Sequence, residues 1–173
     1  MASISDFKAN MFGGGARPNQ FICRLTFPRG GADAGTVTFL CKTASIPASD
    51  IEPIQVMYRG RPVNFAGERT FQPWSVTVIN EGSFEVRAAF EKWIEDIGNA
   101  ESSNGLVEPS DYQTELQVTQ LDRADQPIRT YTFHDAFPIN VGQIALSWDA
   151  NNQIEEYEVT FQYNWFSAGT NPA

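Results

Sequence analysis

One stretch constrains this chain more than any other. Residues 66–97, AGERTFQPWSVTVINEGSFEVRAAFEKWIEDI, switch from a period of two to a period of 3.6 across a single tight turn. Before the turn, Trp74, Val76 and Val78 alternate with Ser75 and Thr77, the pattern of a half-buried strand. Pro73 has no amide to give a ladder, which predicts a bulge or an edge position there. After the turn, Val86, Ala89, Phe90, Trp93, Ile94 and Ile97 fall on one helical face, opposite Glu85, Arg87, Glu91, Lys92, Glu95 and Asp96. The spacing predicts one helix over about 83–97, with Ser83 as N-cap and Gly98 as a left-handed C-terminal residue.

The rest of the chain reads as strand and loop. Phe21, Cys23, Leu25 and Phe27 share a face of a strand over 20–27, and a second strand is expected over 36–42. The intervening PRGGADAG would make these two strands a hairpin. In a symmetric hairpin Cys23 and Cys41 lie roughly opposite, so a disulfide is geometrically conceivable. The preferred reading is two small buried apolar residues in a reducing compartment. Residues 43–50 read as a loop, and 51–65, with two prolines and an Arg-Gly-Arg-Pro turn, as short extended pieces projecting from the body.

Beyond the helix, alternation predicts strands over 111–121, 128–134 and 143–148, the last with Ile144, Leu146 and Trp148 on one face. A long final strand places Tyr157, Val159, Phe161, Tyr163 and Trp165 opposite Glu156, Glu158, Thr160, Gln162 and Asn164. The expected fold is mainly β: an antiparallel β-sandwich or flattened barrel with one flanking helix. The expected organisation is a flexible arm over 1–15, one domain over 16–166 and a loose tail over 167–173. A chain of 173 residues is long enough for one domain with its own core.

Charge and chemistry exclude several classes of function. The net charge is −9 and lysine occurs only at positions 8, 42 and 92. A protein that grips phosphates needs clustered Lys and Arg, so neither stable DNA binding nor an anionic membrane surface is expected. No apolar run approaches a membrane span, and the start, MASISDFKANMF, lacks the apolar segment of a secretory signal. His134 is the only histidine, and Asp135 beside it points to the other face of a strand. One histidine and two cysteines lack metal-ligand spacing. Asp149 and Asn151 are not followed by the Gly and Glu of a calcium loop. The glycine run at 13–15 is no phosphate cradle, since no Gly-Lys-Ser/Thr follows it. The chain is therefore expected to be no enzyme and to need no cofactor or metal.

Four segments resemble a known family. They are Ala-Arg-Pro-Asn-x-Phe at 16–21, Phe-Leu-Cys-Lys-Thr-Ala-Ser-Ile-Pro-Ala at 39–48, Ala-Gly-Glu-Arg-Thr-Phe-x-x-Trp-x-Val-Thr-Val-x-Asn at 66–80, and Trp-Asp-Ala-Asn-Asn-x-Ile-x-x-Tyr-Glu-Val-Thr at 148–160. In this order they are similar to the tail tube proteins of contractile-tailed phages of the T-even type. The departures are the Gly-rich start, the Arg-Gly-Gly-Ala segment and the overhanging tail.

The resemblance implies hexameric rings stacked into a tube inside a contractile sheath, in a virion tail assembled in the host cytoplasm. Sheath, baseplate and terminator proteins would be partners, and DNA would pass through without specific binding. An acidic bore would repel that DNA, within the roughly 8 Å reach that physiological salt allows. The implied interface candidates are Arg17, Asn19, Lys42, Pro47, Arg59, Arg61, Glu68 and Arg69. Those for the lumen are Glu115, Gln117 and Thr119, together with Glu156, Glu158 and Gln162. For stacking, the 43–65 excursion and the N-terminal arm are expected to order against the next ring. A tube protein of a non-phage injection system, of the type VI secretion or pyocin kind, is an alternative that genomic neighbours would separate. A sugar-binding β-sandwich is a third reading, and predicts a monomer or dimer with glycan affinity.

Overall fold

The computed structural model of the chain describes residues 3–11, 15–30, 34–102 and 104–169. Its elements are α1 (Ile4–Asn10), β1 (Phe21–Arg24), α2 (Ala34–Leu40), β2 (Cys41–Ala44), β3 (Ser49–Tyr58), β4 (Arg61–Phe71), β5 (Trp74–Ile79), α3 (Glu85–Ile97), β6 (Thr114–Leu121), β7 (Pro127–Val141), β8 (Glu156–Gln162) and β9 (Trp165–Gly169). All strand pairings are antiparallel.

The strands build an open sandwich of two sheets that share β7. The first half of β7 pairs with β6 and β9, and β6 pairs with β1. The second half pairs with β8, which continues to β5 and β2. Alternation decides the interior. Leu116, Val118 and Phe133 of the first sheet face Trp74, Val76, Val78, Tyr157, Val159 and Phe161 of the second, all buried in one cluster. The Trp74 and Phe133 rings stack at 4.3 Å, joining the two layers.

The corner between the sheets is a backbone event. Asp135 has φ +57, a left-handed conformation that Asp tolerates better than a β-branched residue. The register of β6 and β7 shifts at this point. Asn164, between β8 and β9, donates its amide to the His134 carbonyl at 3.2 Å and its side chain to Asp135 Oδ2 at 3.1 Å. Both long strands therefore bend together, as a bulge allows. Asp135→Val is expected to lower stability by about 1–2 kcal/mol in urea unfolding, whereas Asp135→Gly stays near the parent.

The helix α3 presents Val86, Phe90 and Trp93 to the core, as its periodicity predicts. Phe90 and Trp93 pack on Phe161 of β8, and Phe27 of the chain after β1 meets both. The Trp93 indole N–H donates to the Tyr112 carbonyl at 2.8 Å. The caps differ from expectation. Phe84, not Ser83, is the N-cap, with φ +59 and no side-chain bond of its own. Glu81 Oε1 instead accepts from the Val86 amide at 3.1 Å. Gly98 is extended rather than left-handed.

Several strand assignments change. The strand expected over 36–42 is the helix α2 followed by β2, and the two cysteines do not sit in a hairpin. β1 and β2 are the two ends of the strand path, so a tight turn cannot join them. A short helix carries the chain from one sheet to the other, and burial of Val37 overrides the β preference of Val and Thr. Residues 31–33, within the expected turn, lie outside the described residues. Residues 143–148 form no strand: Leu146 and Trp148 are exposed, so their alternation has no sheet to serve. The strand expected from 111 opens with a 3-10 turn at Pro109–Asp111. The long final strand breaks at Tyr163–Asn164, and 167–169 of the expected loose tail pair with β7. Residues 170–173 lie outside the described residues. The expected arm contains α1, closed by a reciprocal Ser3–Asp6 capping box, and residues 12–14 of its glycine-rich end also lie outside.

A candidate assembly surface

The most distinctive surface is the hairpin β3–β4. It grows out of the second sheet: β2 leads into β3 and β4 leads into β5, and β2 and β5 are themselves paired. Pro47 and Pro73 lie in the two breaks that separate sheet from hairpin, where a missing amide removes no ladder bond. The excursion expected as short pieces is thus one continuous two-stranded arm. At about 3.3 Å per residue, its ten-residue strand reaches about 30 Å. Arg59 and Gly60 at its tip both have positive φ, the pattern of a type I′ turn. A bulge opposes Gly67 to Glu52, and a Cβ on Gly67 would collide with the Glu52 carbonyl.

One face of this arm is apolar, and none of the described residues covers it. Ile54 pairs with Phe65, Val56 with Val63 and Tyr58 with Arg61, and directly opposed residues share a face. All six side chains are exposed; Ile54 and Phe65 are 55% and 56% accessible. A two-stranded hairpin with no third layer is marginal in water on its own. The base is anchored. Trp74 donates its indole N–H to the Ser45 carbonyl at 2.7 Å. The Arg69 guanidinium lies 4.9 Å above Phe71 and 5.1 Å above Phe166, and donates to Ser49 Oγ at 3.0 Å. Gln72 donates to Asp50 at 2.9 Å.

The interface residues expected from sequence are dispersed. Arg59, Arg61, Glu68 and Arg69 are on the hairpin and exposed. Arg69 is already engaged at the base, and the Arg59 guanidinium lies 5.5 Å over Tyr58. Arg17 and Asn19 are exposed in the segment before β1, where the Arg17 carbonyl accepts from Gln120 at 2.6 Å. Lys42 is paired with Glu156 across the second sheet, and Pro47 is half-buried.

The six lumen candidates do not come together. Glu115, Gln117 and Thr119 lie on β6, on the outer face of the first sheet. Glu156, Glu158 and Gln162 lie on β8, on the outer face of the second. The inner faces of the two sheets meet, so these outer faces look in opposite directions. Each carries a ladder of small polar groups. Thr119 bonds Thr130 at 3.0 Å on the first sheet. On the second, Thr43 bonds Thr77 at 2.7 Å and Ser75 bonds Thr160 at 3.1 Å.

The first sheet also holds an arrangement that sequence spacing did not reveal. His134 Nδ1 lies 3.0 Å from Glu115 Oε1, and Nε2 lies 2.9 Å from Ser167 Oγ. Trp165 stacks on the imidazole at 3.8 Å. The order of groups is that of a Ser-His-acid relay. Here, however, the acid side chain is 63% exposed and water-screened, and one ring face is covered by Trp165. The contacts tie together β6, β7 and β9, three neighbouring strands. Only β9, which alternation ran together with β8, brings Ser167 to His134.

The fold is that of subunits in contractile injection particles. A chain in the cryo-EM structure of the six-fold symmetrised anti-feeding prophage baseplate superposes with TM-score 0.67 at 14% identity, over 90% of this chain and 96% of that one. A chain in the extended sheath–tube complex of the PVC extracellular contractile injection system gives TM-score 0.60 at 15% identity, over 99% and 100%. The chain belongs to the phage tail tube protein family, whose description matches residues 16–168. It is 31% identical over 152 residues to tail tube protein gp19 of Enterobacteria phage T4, covering 87% of this chain and 90% of that protein. It is 29% identical over 168 residues to a tail tube protein of Serratia phage KSP90, covering 94% and 95%.

Proposed function

We propose that this chain is a structural subunit of a phage contractile tail. Six copies form a ring, rings stack into the inner tube, and the tube conducts genome DNA on ejection. The supporting observation is an apolar arm, covered by none of the described residues, joined to a sheet whose two edges are open.

The second sheet supplies the bore on this reading. Phe90 and Trp93 of α3 rest on the inner side of β8, so helix and first sheet lie on the same side of the second. Its outer face is left uncovered by the described residues. In the order β2, β5, β8, β7 each strand is antiparallel to the next. Four alternating strands repeat in phase: the β7 edge of one copy meets the β2 edge of the next antiparallel, under a rotation that keeps the strands along the axis. Open edges of this kind invite pairing, and a rotation that closes gives a ring. Glu156, Glu158 and Gln162 then line the bore with Ser75, Thr77 and Thr160, while Glu115, Gln117 and Thr119 face away from it. The hairpin, which extends the β2 and β5 directions, runs along the axis toward the adjacent ring. It carries Arg59, Arg61 and Glu68 to the stacking contact, and α1 and the segment with Arg17 and Asn19 are the other stacking candidates. Sheath, baseplate and terminator proteins are the heterologous partners, and the role is mechanical rather than enzymatic.

Negative-stain microscopy of the purified chain, with and without baseplate seeds, tests the reading. Six-fold rings or hollow tubes are the expected result. Monomers alone with seeds present would overturn it.

A further inference from the structure

We propose that Cys23 and Cys41 are a redox-modification site: a low-molecular-weight disulfide such as oxidised glutathione converts them into an intramolecular disulfide that closes the seam of the sandwich. Three observations carry this. Both thiols are free, Cys23 fully buried and Cys41 half-buried. They are also close: Cys23 of β1 lies in the core cluster and Cys41 of β2 packs against it, near enough for the Cys41 thiol to act on the Cys23 thiol. Finally, β1 and β2 are the first and last strands of the path β1-β6-β7-β8-β5-β2, and they touch. The cysteines therefore meet where the outermost strands of the two sheets approach without a ladder. A sulfur–sulfur bond of about 2 Å requires the two side chains to close a short remaining gap.

Exposure sets the order of events. Cys41 is the less buried of the two and the first to meet a reagent from solvent. Its thiolate attacks one sulfur of oxidised glutathione; the glutathione S–S bond breaks and one glutathione thiolate leaves. Cys23 is held in the protonated state, because the Cys41 thiol and burial both push its pKa up. It is a poor first nucleophile but lies against the mixed disulfide once formed. Cys23 then gives up its proton, attacks the Cys41 sulfur and expels the second glutathione. Two protein thiols are oxidised, and one glutathione disulfide is reduced to two thiols. The closed loop contains residues 24–40 and α2.

The chemistry is independent of the role proposed above.

The test uses the full chain, reduced, freed of reductant and incubated with oxidised glutathione. Free thiols are then trapped under denaturing conditions and the mass is read. The expected product has lost two hydrogens and neither cysteine can be alkylated. Its thermal midpoint rises by about 5–10 °C, and dithiothreitol reverses the rise. In Cys23→Ser the reaction stops at a glutathione adduct on Cys41; in Cys41→Ser, Cys23 stays unmodified in the folded chain. A stable adduct on Cys41 of the parent chain with Cys23 still free, or two free thiols after incubation, overturns the proposal. Either can be read on the parent chain alone should a variant fail to fold. Tube formation by a chain that never forms the bond would leave the tail-tube reading standing and remove this one.

Discussion

A chain carrying Ile54→Asp and Phe65→Asp is expected to fold as the parent does and to form no tubes. The two residues are directly opposed on the hairpin and more than half exposed, so neither fills space in the core. Surface substitutions of this kind shift subunit stability by about 0.5 kcal/mol. In an assembled particle the same face would be buried. Each large apolar side chain removed from water contributes about 1.5–3 kcal/mol, and an unpaired carboxylate taken into such a contact costs several more. Two aspartates per subunit therefore weaken each contact by about 5 kcal/mol or more, a loss of at least about a thousandfold in association, repeated at every copy. Thermal unfolding and circular dichroism of the isolated chain should match the parent, while microscopy should show no tubes. Tubes of normal length from the double variant would remove the hairpin from the assembly surface. Arg59→Glu with Arg61→Glu leaves the apolar face intact, and should weaken assembly less and in a salt-dependent way.

Much of the sandwich could be read from the chain because half-buried strands and a core-facing helix write their faces as periods. Trp74, Val76 and Val78, or Tyr157, Val159 and Phe161, alternate because one side of a single sheet is core. The same rule misleads where alternation has no sheet behind it, as at Ile144, Leu146 and Trp148, which occupy a loop that half-buries Ile144 against the core and exposes the other two. It is also silent on which strands share a sheet. Glu115 and Glu156 each lie on the polar side of their strand as expected, yet on opposite sides of the molecule. That relation is decided by the bend at Asp135, a left-handed residue that local pattern does not announce. The helix at 34–40 was hidden for a related reason. Val and Thr favour strands weakly, and the need to cross between sheets outweighs that preference. The hairpin's projection was legible from its prolines and its Arg-Gly turn, but its length was not, because an arm exposed on both faces has no burial pattern to display.

Replacing Trp74 by alanine is expected to be the most damaging single change, because one side chain holds three parts of the molecule. Its ring is almost wholly buried, stacks on Phe133 of the opposite sheet at 4.3 Å and meets Phe161 at 5.8 Å. Its indole N–H holds the Ser45 carbonyl in the connection from β2 to the hairpin. Large-to-small substitution of a buried tryptophan removes about 3–5 kcal/mol, a large part of the stability of an ordinary domain. Urea unfolding should show the midpoint fall sharply, and near-ultraviolet circular dichroism should lose its aromatic signal. Trp74→Phe separates the two contributions. The ring contacts are largely kept and the hydrogen bond to Ser45 is lost, so the cost should drop to about 1–2 kcal/mol. The carbonyl released in Trp74→Phe lies at the root of the arm, so this variant should be milder in stability and disproportionately poor in assembly. If it formed tubes as readily as the parent, the bond to Ser45 would matter to the core alone and the aim of the hairpin would be fixed by Arg69, Phe71 and Phe166.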